Sequence, residues 1–211
     1  MAFTIPVQKI SFGGSLPAGE VWQCGLWFSP NTTPGTQAAL QAEVDAMVTP
    51  FTTWWATSAI SGIRAAGMTL NNLSLYGYAA NATSAGAVAH ATISLAANAT
   101  QQSKPNQCAL VCSLRTVSPA RNGRGRIYLP FLSGGVAGGQ LATTDAQAVA
   151  TATANLLVAL NGGTAPSSIG RVLGGTSGLP VTSVVVDTVI DTQRRRRNKI
   201  VATGSMSSPV N

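Results

Sequence analysis

The residues best suited to chemistry are cations packed into one short segment near the end of the chain. Five of the thirteen positive charges fall within six residues, and removing them leaves eight positive charges against six negative ones. A run of this density can neutralise several phosphates of a nucleic acid and release their counterions. The segment is predicted to be the principal nucleic-acid contact, and a contact with an acidic neighbour or a solvated basic tail is the alternative. Its cations are Arg194, Arg195, Arg196, Arg197 and Lys199.

A second, looser group of arginines surrounds two glycines. Arg121, Arg124 and Arg126 flank Gly123 and Gly125 between two predicted strands. The segment lacks the lysine and hydroxyl of a phosphate-binding P-loop, and no helix follows it directly. It predicts a flexible hairpin tip whose arginines are either solvated or a secondary contact with nucleic acid or an acidic neighbour.

Groups for catalysis or metal binding are few. His90 is the single histidine, and it lies in an alternating apolar pattern typical of a structural position. Cys108 and Cys112 are four apart on a predicted strand, which separates them by about 13 Å. That distance excludes a disulfide between them and does not suit the paired ligands of a zinc site. We therefore expect no enzyme, no metal and no cofactor, with these cysteines and Cys24 serving as small hydrophobes.

The six acidic residues form no pair typical of a glycosidase or a two-metal site. Glu43 and Asp45 are close neighbours on a predicted helix and point in different directions. Asp187 and Asp191 lie near the arginine run, which favours a role in charge balance. We expect structural roles for all four.

The tryptophans are candidates for interface anchors, because aromatic residues are enriched at protein interfaces. Two of them are adjacent on a predicted helix, where neighbours point about 100° apart, so burying both within one monomer is harder. Core packing is the alternative for each. No cations are interleaved with them along the chain, which argues against a dedicated single-strand stacking platform. The four are Trp22, Trp27, Trp54 and Trp55.

Two helices are predicted. Thr36 caps the first, whose apolar residues recur at helical spacing as far as Trp55, and Pro50 should kink or divide it. Thr144 with Gln147 forms a capping-box pattern at the start of the second. The glycines after Asn161 should end that helix.

Strands are predicted around these helices from residue alternation and turn signals. Residues 3–28 are predicted to be extended structure interrupted by turns. From about residue 70, apolar residues recur with a period of two, as in a β-strand. Residues 107–117 are the clearest strand, and Asn122–Gly123 turns the chain back into a partner strand. The β-branched run 181–190 leads directly into the arginines.

This order, β-α-β-β-β-β-α-β, predicts an α+β domain with an antiparallel β-sheet and two main helices. A jelly-roll-like β-sandwich with helical insertions is the alternative. We expect residues 1–193 to form a single domain and residues 194–211 to form a basic segment and C-terminal tail.

Composition limits the classes of function. Only 9% of the 211 residues are charged, against about 25% in a typical protein. This excludes a disordered chain, which needs high charge, and a helical bundle laced with ion pairs. No apolar run reaches the length of a membrane helix, and the start MAFTIPVQKI lacks the features of a signal peptide. We expect synthesis in a cytoplasm and a surface that is covered by copies or partners.

Two segments resemble known proteins: residues 114–130, with Gly123-Arg124-Gly125-Arg126, and residues 187–199, with the arginine run. They are similar to segments in poorly characterised structural proteins of small viruses and bacteriophages. The resemblance covers about a third of the chain and implies a virion component with no catalytic residues.

The sequence thus favours a self-assembling viral coat or virion-associated protein, made in the host cytoplasm and located in the virion. Its expected partners are further copies of itself, other virion proteins and viral nucleic acid, with no membrane. A cytoplasmic nucleic-acid-binding module without sequence specificity is the alternative.

Overall fold

The structure is a computed structural model that describes residues 7–15, 19, 21–30, 34–64, 67–79, 82–95, 108–116, 126–131, 143–162, 169–172, 181–192 and 195–210. These ranges hold the following elements in chain order: β1 (Val7–Ser15), β2 (Val21–Pro30), α1 (Gln37–Ala56), α2 (Ser58–Ile63), β3 (Leu70–Tyr78), β4 (Ala87–Leu95), β5 (Cys108–Thr116), β6 (Arg126–Phe131), α3 (Thr143–Gly162), β7 (Ile169–Val172), β8 (Val181–Thr192) and β9 (Arg195–Val210).

The strands form two antiparallel sheets. The first sheet has the order β4-β3-β1-β2-β7 and the second has the order β6-β5-β8-β9. The fold is α+β, as the sequence predicts. The extended start of the chain becomes the β1–β2 hairpin, and β5 and β6 pair as expected.

The helices connect the two sheets. Helix α1 packs against β3 and β4, whereas α3 packs against β8 and β9 and contacts both α1 and α2. The sheets also adjoin through contacts of β2 with β6 and of β7 with β9. Within the described residues, none of the helices is long and apolar enough to cross a bilayer.

The first sheet buries one face in the core, whereas the other face is exposed in part, at residues such as Trp27 and His90. On β1, Ile10 and Phe12 are buried with the inward residues Leu26 and Phe28 of β2. Strand β4 turns small alanines inward, and its intervening residues, such as His90, are exposed. Alternation with a period of two separates an apolar inner face from a polar outer face.

Aromatic rings gather at the end of α1. Phe12 lies 4.9 Å from Phe51 and 6.1 Å from Trp54, measured between ring centroids. Trp55 stacks on Trp22 with an interplanar angle of 6°. The Arg64 guanidinium lies 4.4 Å from the Trp55 ring on α1 and donates to the Trp55 carbonyl. Both adjacent tryptophans are thus buried in one chain, because β1, β2 and Arg64 cover them on different sides.

The first helix does not divide at Pro50. It continues to Ala56 because the next turn buries Phe51, Trp54 and Trp55. The break comes at Thr57, whose backbone N–H donates to the Trp54 carbonyl and whose hydroxyl caps α2. Packing of the aromatic face therefore outweighs the hydrogen bond that proline removes.

Helix α1 also reaches the outer edge of the first sheet. The Gln37 side chain donates to the carbonyl of Val88, and the Gln41 side chain donates to the carbonyl of His90, at 2.7 and 2.8 Å. Both carbonyls belong to β4, the edge strand. The small inward alanines of β4 allow the helix to approach closely enough for these bonds.

The later elements follow the sequence closely, with one exception. Helix α3 begins at Thr143, one residue before the predicted cap, and ends at Gly162, as expected. The segment expected to be a C-terminal tail instead contains β9, which pairs with β8 between Arg195 and Ser205 and again at Val210. Residues 195–210 are therefore built into the second sheet.

Gly14 marks a close approach of two backbones. Ser15 N–H donates to the Thr69 hydroxyl, and the Trp22 indole donates to the Thr69 carbonyl. A Cβ at Gly14 would collide with that carbonyl, which is backbone and held in place. We expect Gly14→Ala to lower the free energy of unfolding by about 1–3 kcal/mol, measured by urea denaturation.

Gly62 is the matched control. It lies in α2, and a Cβ built there meets nothing within 4 Å. Gly62→Ala should leave the free energy of unfolding unchanged or slightly raised, because alanine favours the helix. Equal denaturation midpoints for the wild type and Gly14→Ala would contradict the close approach.

Candidate nucleic-acid interface

The basic cluster lies on the edge strand of the second sheet. Four of its members, Arg195, Arg196, Arg197 and Lys199, open strand β9. Across the hairpin, Arg195 pairs with Thr192, and Arg196 pairs with Asp191. Arg197 and Lys199 stand opposite Ile190 and Thr188. Asp191 is therefore the one acidic residue directly opposite this cluster.

Arg126, the described member of the second arginine group, lies apart from the described members of the first. Arg126 begins β6 and pairs with Ser113, which in turn pairs with Val185 of β8. Arg197 pairs with Ile190, five residues further along β8. Arg126 and Arg197 are thus offset by about 16 Å along the strands and about 14 Å across them. Arg121, Arg124 and Arg194 lie outside the described residues.

Three of the four predicted interface tryptophans lie in the core. Trp22, Trp54 and Trp55 are 4%, 2% and 3% exposed, so they offer no surface to a partner in this conformation. Their rings belong to the aromatic cluster at the end of α1. Trp27 is 39% exposed on the outer face of the first sheet, and its role as an interface anchor stays a prediction.

Around Trp27 the fold assembles a cation and three rings that are distant in sequence. Lys9 pairs with Trp27 on one side and with Tyr76 on the other. Its Nζ lies 5.6 Å from the Trp27 ring and 6.0 Å from the Tyr76 ring. Tyr78 adds a third ring, 4.7 Å from Trp27. Gly25 gives the Lys9 side chain room, because a Cβ there would collide with Lys9 Cε.

Sequence reasoning missed this cation–ring row, Tyr76–Lys9–Trp27. The three residues are far apart along the chain, and only the pairing of β1 with β2 and β3 brings them together. The one signal in the sequence was the alternation along each strand, which places Lys9 on the outer face, between the inward residues Gln8 and Ile10. Alternation shows which face a residue occupies, but it does not show which residues of neighbouring strands pair.

The candidate catalytic groups are separated. His90 is exposed on β4, with Nδ1 2.8 Å from Ser74 Oγ. No aspartate or glutamate occurs in the five strands of this sheet, so its strands supply no carboxylate to complete a triad. Cys24 is buried, as predicted. No group of three potential metal ligands occurs among the described residues.

Glu43 is a buried carboxyl beneath β1. It is 3% exposed and accepts a hydrogen bond from Gln8 Nε2 at 2.9 Å, while Asp45 on the same helix is exposed. Burial raises the pKa of Glu43 from its ordinary value of 4.5 to about 7, and the Gln8 hydrogen bond opposes part of that rise. Glu43 is therefore largely protonated below neutral pH.

This carboxyl makes stability depend on pH. The folded state holds the Glu43 proton up to a pKa of about 7, whereas the unfolded chain releases it near 4.5. The stabilisation from Glu43 is complete below about pH 4.5 and is lost as the pH rises through 7. Over this range we expect the free energy of unfolding to fall by about 3 kcal/mol. Glu43→Gln should remove that fall in urea denaturation at a series of pH values.

Asp45→Asn is the control for this experiment. It removes an exposed carboxylate two residues away on the same helix, so the pH dependence should persist. The assignment to Glu43 fails if Glu43→Gln shows the same pH dependence as the wild type.

Comparison with protein-family models, with curated proteins and with solved structures found no match to this chain. The resemblance to virion proteins therefore stays a prediction from two segments of the sequence. The interpretation of both candidate surfaces, the basic edge strand and the cation–ring row, depends on their own geometry and charge.

Proposed function

We propose that this protein is a structural component of a virion, a self-assembling coat or virion-associated protein whose basic edge strand contacts the packaged nucleic acid. The observation that carries the proposal is the position of Arg195, Arg196, Arg197 and Lys199 on β9. Along a strand, alternate positions share a face, so Arg195, Arg197 and Lys199 occupy positions on one face at intervals of about 6.6 Å. Such an array suits the regularly spaced phosphates of a nucleic acid.

The pairing of β9 supports a polyanion as the partner. Three of the cationic residues pair with uncharged residues of β8: Arg195 with Thr192, Arg197 with Ile190 and Lys199 with Thr188. Only Arg196 has a carboxylate residue, Asp191, directly across the hairpin. The paired strand thus places one carboxylate residue opposite four cationic residues, which supports an anionic partner for the cluster.

The composition supports self-assembly. Charged residues make up 9% of the chain, so little desolvation of charge opposes the burial of its surface against further copies. This composition favours a shell or another closed assembly over an isolated module.

Substituting the cluster tests the contact with nucleic acid. Replacing Arg194, Arg195, Arg196 and Arg197 by Gln should flatten the dependence of log affinity on log salt by up to about 3–4 units. Binding of single- and double-stranded nucleic acid is measured between about 50 and 200 mM salt. Replacing Arg121, Arg124 and Arg126 should flatten the slope less. An unchanged slope in the four-arginine variant would mean that the cluster faces a protein neighbour.

Sedimentation of the purified chain tests the assembly. We expect particles in the megadalton range, formed alone or on addition of nucleic acid, because the low-charge surface is to be buried between copies. A monomer or dimer at high concentration and at every salt condition, with or without nucleic acid, would reject the coat function. That result combined with a steep salt slope would support the nucleic-acid-binding module instead.

A further inference from the structure

The outer face of the first sheet has the chemistry of a second binding surface. We propose that it binds single-stranded nucleic acid, with bases stacking on Trp27 and Tyr76 and a phosphate contacting Lys9 between them. This goes beyond the proposed function, because the residues lie on a different sheet and make base-stacking contacts that an arginine run does not supply.

Aromatic rings and a cation alternate across the outer face. Proteins that bind single strands combine aromatic rings, on which bases stack, with cations that follow the backbone. Here Lys9 stands between Trp27 and Tyr76 across three adjacent strands, so the two ring positions are about 10 Å apart. Trp27 is 39% exposed, and Tyr76 is half-buried. The fold thus provides the interleaving that the linear sequence lacks.

The strands of the first sheet carry positive charge only. The five strands of this sheet contain Lys9 and Arg171 and no aspartate or glutamate. The acidic residue nearest to them in sequence is Glu20, which precedes β2 at the end away from Trp27. Glu43 lies on the opposite, buried side. A polyanion approaching the outer face therefore meets no carboxylate from the strands themselves.

The surface beside the cation–ring row is polar. The next two rows of the face are polar or small, with Gln23 donating to Ser11 Oγ at 2.6 Å. From β4 to β2, the first row consists of His90, Ser74, Ser11 and Gly25, and the second consists of Thr92, Asn72, Gly13 and Gln23. The central Ser11 and Ser74 are buried, whereas the exposed Gln23, Asn72, His90 and Thr92 supply donors and acceptors for a nucleic-acid strand.

The same rows argue against a second copy as the occupant. Docking two such faces would bury Gln23, Asn72, His90 and Thr92 against equally polar groups, and each unpaired group would cost free energy. A duplex fits less well than a single strand, because its bases are already stacked on one another. The surface therefore suits unpaired bases.

The tryptophans give this site its own optical signal. Trp27 is exposed, whereas Trp22, Trp54 and Trp55 are at most 4% exposed. Titration of the full chain with oligo(dT) or oligo(U) should quench the Trp27 emission as bases stack on the ring. A duplex of equal length should quench it less at the same salt concentration.

Substitutions assign the signal to the row. Trp27→Ala should weaken single-strand binding about 5- to 150-fold, the effect of losing one stacked base. Trp27→Phe should retain most of the affinity, because it keeps a ring. Lys9→Gln should flatten the salt slope by about 0.7 units. Val21→Ala, which removes a 77% exposed apolar side chain from the same face of β2, should bind like the wild type.

Each outcome separates this proposal from the role of β9. Loss of single-strand affinity in Trp27→Ala with an unchanged Val21→Ala supports the stacking surface, whatever the four-arginine variant does. Equal affinity of Trp27→Ala and the wild type overturns it, even where the four-arginine variant confirms the β9 contact. Trp27 emission that changes with protein concentration alone, as larger species form, also overturns it and assigns the face to a second copy.

Discussion

Burial of one face of the first sheet against α1 is the interaction on which the rest of this structure depends. The aromatic cluster of Phe12, Trp22, Phe51, Trp54 and Trp55 fixes where α1 ends and holds the β1–β2 hairpin against it. Aromatic pairs of this kind add stability beyond the area they bury. Because that face is buried in the core, the alternation of side chains along each strand determines which residues lie on the opposite face.

Strand β1 shows how closely the two sides are coupled. Its residue Gln8 points inward and donates to the buried carboxyl of Glu43, while the next residue, Lys9, lies outward between Trp27 and Tyr76. A slip of one residue in register would place the cation in the core and the core residues in water. The outer surface is therefore specified by packing on the other side of the sheet.

Local signals in the sequence were sufficient for much of the fold. The alternation in residues 107–117 and the Asn122–Gly123 turn predict the pairing of β5 with β6, and glycines after Asn161 predict the end of α3. Pro50 does not divide α1, because the cost of a proline is local, whereas the aromatic burial that outweighs it involves β1 and β2. The cation–ring row is invisible to the same reasoning, since Lys9 and Tyr76 meet only through strand register. Local signals also did not predict β9, which lies within the segment 194–211 that was expected to be a tail and forms by pairing with β8.

The glutamines of α1 have a consequence for how copies of this chain can meet. A strand at the edge of a sheet offers unpaired carbonyls on which a foreign strand can add, the first step of aggregation. Gln37 and Gln41 already occupy two such carbonyls, at Val88 and His90 of β4. An incoming strand would have to break both bonds and displace a helix anchored in the core. Crowded, newly made chains are thereby protected on this side from joining into continuous ribbons.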